Sequence, residues 1–183
     1  MRIIAGEWRG RQLRAPEGDT TRPTADRTRE TLFSMLASRL GSFEELAVMD
    51  LFAGSGALGL EALSRGAAHC LFAEQDAHAL RALRANIAAL KAQDRCEVRA
   101  GSAMALGPGK RQFDLVMLDP PYESGAGVVA IDKLGRLGWF APFAWIALET
   151  SRKEAPEIKG FTIKTSRDVG RARLHLMRPA PPA

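Results

Sequence analysis

The 183 residues suffice for one domain, and a hydrophobic share of 46% can fill a real core. The chain has no apolar run of about 18 residues, which excludes a spanning helix, and its start, Met1-Arg2-Ile3-Ile4-Ala5-Gly6, lacks the apolar stretch of a secretory signal. The net charge of +5 is uneven: residues 1–30 carry net +2, residues 31–150 net −2 and residues 151–183 net +5, so a polyanion such as nucleic acid fits the two ends.

Two cysteines, Cys70 and Cys96, argue against a disulfide framework and read as small buried hydrophobes. Three scattered histidines, His69, His78 and His175, show no metal-site spacing. The sequence thus reads as a soluble, metal-free protein of a reducing cytoplasm. Its length is compatible with a monomer.

Residues 1–22 are Arg-rich and turn-laden, with a loop at Pro16–Asp19. A helix is predicted from about Thr24, with Thr24 as cap, Asp26 in the first turn, an apolar stripe at Leu32, Phe33, Leu36 and Leu40, and Gly41 as its end. From there strands and helices alternate. Strands are predicted at Val48–Phe52, Cys70–Glu74, Cys96–Arg99, Phe113–Asp119 and Trp145–Glu149. Helices are predicted from the Gly54–Gly59 turn to about Arg65, after an Asp76 cap with apolar face Leu80, Leu83, Ile87 and Leu90, and over Val128–Leu137. Phe161–Lys164 and Arg173–Met177 read as two final strands around a turn near Gly170, and the tail Pro179–Ala183 as disordered. The alternation predicts an α/β, doubly wound, mostly parallel sheet over residues 46–178, preceded by a basic arm and helix over 1–45. Ligands of such sheets bind beyond the carboxyl ends of the strands.

Two motifs fall at that edge. Asp50-Leu51-Phe52-Ala53-Gly54-Ser55-Gly56-Ala57-Leu58-Gly59 follows a strand and opens a helix, with Gly54, Gly56 and Gly59 in the pattern G-x-G-x-x-G. Glu74 ends the next strand, where a carboxylate can accept both hydroxyls of a ribose. The glycines also suit a nicotinamide dinucleotide, but Asp50 would oppose a pyrophosphate at the helix N-terminus. S-adenosylmethionine brings a sulfonium and an ammonium instead, which a nearby acid suits.

The second motif, Asp119-Pro120-Pro121-Tyr122, closes the fourth strand. Its prolines fix the backbone and remove two N–H donors, leaving the Pro120 carbonyl and the Asp119 carboxylate as neighbouring acceptors. Such a pair can receive both N–H groups of a planar exocyclic amine and localise its lone pair toward a methyl donor. Tyr122 offers a flat face for an unstacked base. With a reference pKa of about 3.9, Asp119 is expected to orient the amine rather than deprotonate it first.

These residues resemble amino-methyltransferases with a D-P-P-Y signature. Arg2–Gly6, Arg9-Gly10-Arg11 and Arg22-Pro23-Thr24-Ala25-Asp26-Arg27-Thr28-Arg29-Glu30 narrow the likeness to RsmD-type 16S ribosomal RNA guanine-N2 methyltransferases, over essentially the whole chain. The resemblance implies a Rossmann-like sheet of seven strands with the last antiparallel. It also implies N2 methylation of one guanine in 16S rRNA or the assembling small subunit. Carried over residue by residue, Asp119, Pro120 and Tyr122 would handle the base. Asp50, Phe52, Ala53, Gly54, Ser55, Gly56, Glu74, Gln75, Ser102 and Ala103 would hold S-adenosylmethionine. Arg9, Arg11, Arg22, Thr24 and Arg27 would grip RNA, the alternative being an arm packed on the domain. After the third strand such enzymes commonly place an acid near the adenine amine; Gly101-Ser102-Ala103 stands here, with Ser102 or the backbone as acceptor.

Three other readings fit less. A DNA adenine-N6 methyltransferase needs a means of reading duplex sequence, and only about 45 residues precede the sheet. An NAD-dependent dehydrogenase has no use for Asp119–Tyr122. A non-enzymatic RNA-binding module leaves both motifs unexplained.

Overall fold

A computed structural model of the protein describes residues 1–18 and 23–181, the side chains of Pro23 and Thr24 lying outside that description. The predicted loop residue Asp19 and the predicted RNA contact Arg22 lie outside it too.

Among the described residues, four α-helices and seven strands follow the arm: α1 (Pro23–Leu40), β1 (Ala47–Leu51), α2 (Ala57–Ser64), β2 (His69–Glu74), α3 (Ala77–Ala89), β3 (Cys96–Ala100), β4 (Phe113–Leu118), α4 (Ala126–Arg136), β5 (Phe140–Ser151), β6 (Phe161–Val169) and β7 (Ala172–Pro179). The strands form one sheet in the order β3-β2-β1-β4-β5-β7-β6. The first five in that order pair in parallel. β7 runs antiparallel to both β5 and β6. The chain reverses its winding between β1 and β4, and at such a switch point neighbouring crossovers leave a crevice above the strand ends.

Alternation along the strands divides the core. Val48, Cys70, Phe72, Leu115, Met117, Trp145, Leu174 and Leu176 face one side, under the arm, α1, α2 and α3. Met49, Leu51, Leu71, Val116, Leu118, Ile146 and Leu148 face the other, under α4. In α1 the predicted Leu32, Phe33 and Leu36 are buried, joined by Met35, while Leu40 is only partly covered. Asp76 caps α3 as predicted, accepting from Ala79 N at 2.9 Å.

Boundaries shift by one or two residues at several elements, and four differences from expectation have a physical reason. α1 starts at Pro23, whose fixed φ and missing N–H suit the first helical position, so Thr24 lies inside the first turn rather than at the cap. β5 begins five residues before Trp145, because the register breaks between Phe113 and Leu115 and takes in Pro142 there. β6 continues past Lys164 through a second irregularity between Ile163 and Thr165, which puts the apolar-polar alternation out of step. The tail is tied down further than expected: β7 includes Pro179, and Ala180 N donates to Gly160 O at 2.7 Å.

The arm packs on the domain. Ile3, Trp8 and Leu13 are buried, and Glu61 of α2, 1% exposed, holds the chain above them. Its carboxylate accepts from Ile4 N at 2.8 Å, Ala5 N at 3.1 Å and Arg65 Nε at 2.9 Å. Arg65 in turn lies 4.9 Å over the Phe33 ring, joining arm, α1 and α2. Removing one member of such a buried set leaves the others unpaired. Glu61→Ala is expected to cost about 3 kcal/mol of stability, read as a lower midpoint in urea unfolding; an unchanged midpoint would show that the arm is held by its apolar contacts alone.

Candidate active site

The parallel register fixes which residues meet at the crevice. Glu74 ends β2, Asp119 follows β4, and the Leu118–Leu148 pairing sets Glu149 of β5 beside Asp119. Between them the glycine loop crosses the end of β1. Ala53 N bonds Ala73 O at 3.0 Å and Gly56 N bonds Ala53 O at 2.8 Å, closing the loop before α2 starts.

Glu74 ties the loop to the β2 end. Its Oε1 accepts from Gly54 N at 2.8 Å, and its Oε2 from Gln75 N and Asp76 N, each at 2.8 Å. Gly54 and Gly59 serve different ends. A side chain on Gly54 would meet only open space, which leaves the backbone face free for a ligand, whereas on Gly59 it would lie 2.4 Å from Phe72 Cε1 and 2.6 Å from Cys70 Sγ. Gly59 therefore lets α2 sit close on β2. Phe52, with φ of 58°, is bent into the left-handed region at the loop entry, a backbone cost typical of functional turns.

Asp50 is placed otherwise than expected. Strand alternation turns it to the same side as Val48, beneath the first turn of α2, where it is 1% exposed and accepts from Gly59 N at 2.9 Å. It lines neither cavity described below. Burial raises its pKa well above the usual carboxylate range against the pull of the Gly59 bond, with Asp119 and Glu74 adding repulsion. It fills a helix N-terminus that a dinucleotide phosphate would otherwise occupy.

Two cavities meet at Phe52, Asp119, Tyr122 and Glu149. The first, of about 670 Å³, is walled by Glu74, Gln75, Asp76, Ser102, Ala103 and Met104. Ser102 Oγ accepts from Met104 N at 3.1 Å, which caps the short turn there and aims the hydroxyl along the wall. The second, of about 840 Å³, lies between the glycine loop, the start of α1 and the β6–β7 turn. Asp26 and Arg29 stand on its wall, and Asp26 Oδ1 and Arg29 Nε are buried polar atoms without a hydrogen-bond partner in the described structure. Ser55 reaches it from a loop held by Asn86, whose Nδ2 donates to Ser55 O at 3.0 Å.

Glu149 was not among the residues expected at the site. The Tyr122 hydroxyl donates to its Oε2 at 2.7 Å, which fixes the 44% exposed Tyr122 ring over the crevice. Glu149 also lies against the Asp119 carboxyl. Although its surface opens to the crevice, the Asp119 carboxyl is ringed by protein; this burial, then the facing Glu149, pushes its pKa up to about 8. Burial raises Glu149 as well. Asp119 is therefore one half of a carboxyl pair that is harder to ionise than the ordinary carboxylate expected of it. A pKa near 8 is still far below what deprotonating an aromatic amine requires.

The expected RNA contacts divide. Arg9 and Arg27 are exposed, while Arg11 is exposed but bonded to Ala89 O at 2.9 Å. The segment Arg22–Glu30 contributes Asp26, Thr28 and Arg29 to the second cavity, a part the sequence reading did not give it.

The family model described as "Conserved hypothetical protein 95" matches residues 1–178. Ribosomal RNA small subunit methyltransferase D of Escherichia coli is 41% identical over 150 residues, covering 82% of this chain and 74% of the relative. The chain belongs to the RsmD family. The enzyme of the same name from Haemophilus influenzae is 39% identical over 156 residues, 83% of this chain and 79% of that one. Among solved structures, an Escherichia coli protein described as "Putative methyltransferase yhhF" superposes with a TM-score of 0.86 at 37% identity over 98% of both chains. This RsmD-family protein is accordingly a methyltransferase that uses S-adenosylmethionine.

The crevice fits that cofactor. Carboxylates outnumber cations around it, suiting a sulfonium, and the Asp26–Arg29 ion pair at 3.6 Å, whose Asp26 Oδ1 and Arg29 Nε make no hydrogen bond, offers one charge of each sign to the ammonium and carboxylate of an amino-acid end.

Proposed function

We propose that this enzyme methylates the exocyclic N2 amine of a guanine in small-subunit ribosomal RNA. One observation carries the reading: Asp119, Tyr122 and Glu149 stand where the two cavities join, with Pro120 on the wall of the first, so an amine held there faces whatever lies along the glycine loop.

S-adenosylmethionine supplies a methyl group already activated by its sulfonium. The chain supplies position and charge. Glu74 accepts the ribose hydroxyls, Gln75, Ser102 and Ala103 line the adenine side, and the backbone of Phe52–Gly56 runs beneath. Asp26 and Arg29 hold the amino-acid end. Asp50 acts at one remove, by keeping the loop on α2.

Asp119 and the Pro120 carbonyl receive the two amine hydrogens, and Tyr122 stacks on the base. Holding both N–H bonds draws the lone pair out of the ring plane toward the donor. Alignment of this kind lowers barriers by several kcal/mol. Positive charge grows on nitrogen as the bond forms, and the Asp119–Glu149 pair stabilises it and then takes the proton, which by that stage is strongly acidic.

The exposed Arg9 and Arg27, with the basic C-terminal strands, support the reading of a phosphate backbone crossing the crevice mouth. The test offers labelled cofactor with protein-free small-subunit rRNA, with assembled small subunits, with duplex DNA and with ribosomal protein. Label in rRNA or subunit RNA is expected. Label confined to DNA or to protein would overturn the reading.

A further inference from the structure

We propose that Glu149 reads the guanine ring, accepting the N1–H next to the reacting amine and so excluding amino-purines that carry a lone pair at that position. The inference rests on the guanine-N2 reading above and adds the group that selects the base.

The geometry points there in three ways. The Leu118–Leu148 register puts Asp119 and Glu149 side by side at the ends of adjacent parallel strands. Tyr122, the stacking residue, donates to Glu149 Oε2 at 2.7 Å, so the carboxylate lies at the hydroxyl edge of the face on which the base would stack. Glu149 lines both cavities at their junction.

Two acid groups in contact, ringed by protein, repel when both are ionised. A site retains such a pair at little net cost when its ligand brings enough donors. Guanine brings three on one edge: two on N2 and one on N1. Asp119, the Pro120 carbonyl and Glu149 offer three acceptors on one cavity wall. A base with the same 2-amine but an unprotonated N1 would set a lone pair against Glu149, and adenine presented by its N6 amine would do the same.

A merely structural role is the rival, with Glu149 serving as anchor for the Tyr122 hydroxyl. Glu149→Gln separates the two. The amide oxygen keeps an acceptor for Tyr122, while the amide N–H₂ can now donate to a bare N1.

The experiment first locates the N2-methylguanosine that the wild-type enzyme makes in small-subunit rRNA. It then prepares that RNA by splint ligation with guanosine or 2-aminopurine nucleoside at this one position, and measures kcat/KM for both. Wild type should prefer guanosine by about 100-fold or more, as expected of a polar site facing a mismatched edge. In Glu149→Gln, checked for cofactor affinity by calorimetry, the ratio should fall below about 10. An unchanged ratio in the variant overturns the proposal, since it leaves Glu149 an anchor only. So does a wild-type enzyme that methylates both RNAs alike, a result that needs no variant at all. Failure to find any N2-methylguanosine would instead strike the guanine reading itself.

Discussion

Asp119→Asn should lower kcat at least about 1000-fold while the affinity for S-adenosylmethionine changes by less than about tenfold. Asparagine keeps the shape of the side chain but turns one acceptor into a donor, which then faces the hydrogens of the target amine. Losing an acceptor and gaining a misplaced donor is worth roughly 4 kcal/mol at the transition state, and that is about a factor of 1000. The cofactor loses one charge–charge interaction in a wet crevice, a smaller quantity. Single-turnover rates and calorimetry read the two effects separately. A variant with near-normal turnover would remove Asp119 from the chemistry; one that no longer binds cofactor would make it part of the binding site instead.

Glu74→Ala should show the opposite split, with the cofactor Kd rising about 100-fold. Two charge-assisted bonds to ribose hydroxyls contribute roughly 3 kcal/mol together. The three backbone N–H groups that Glu74 gathers from Gly54, Gln75 and Asp76 also lose their partner, so the loop itself loosens. Glu74→Gln should fall between, because an amide oxygen still accepts one hydroxyl. Turnover at saturating cofactor should change much less than affinity, since Glu74 stands apart from the reacting nitrogen. An unchanged Kd would assign Glu74 to the loop alone.

What was legible in the sequence was whatever a short stretch determines. The glycine loop, Glu74 and Asp119–Tyr122 each follow a strand, and α/β connectivity alone brings strand ends together. Glu149 also ends an apolar run, Trp145–Leu148, but no motif surrounds it; only the pairing of β5 with β4 shows that it faces Asp119. The available signal was its place, a lone acid at the carboxyl edge of the strand after the catalytic one. The raised Asp119 pKa was hidden for the same reason, since its charged neighbour is 30 residues away in the chain.

The charge of Asp50 does not set its orientation. Its neighbours in β1 are apolar on both faces, so nothing in the string tells which way the carboxylate turns. The structure sends it under α2, where it supports the loop from below. The N-terminal segment shows a similar gap. Its arginines suggested RNA, while helical spacing also carries Asp26 and Arg29 onto the cofactor side. That face is visible only once α1 is docked across the sheet edge.

The most direct test of this account is nucleoside analysis of small-subunit rRNA after incubation with the enzyme and isotopically labelled S-adenosylmethionine, separating methylated nucleosides by chromatography and mass. Label is expected in N2-methylguanosine at a single position. Label in N6-methyladenosine, or in a ring-methylated guanosine, would contradict it.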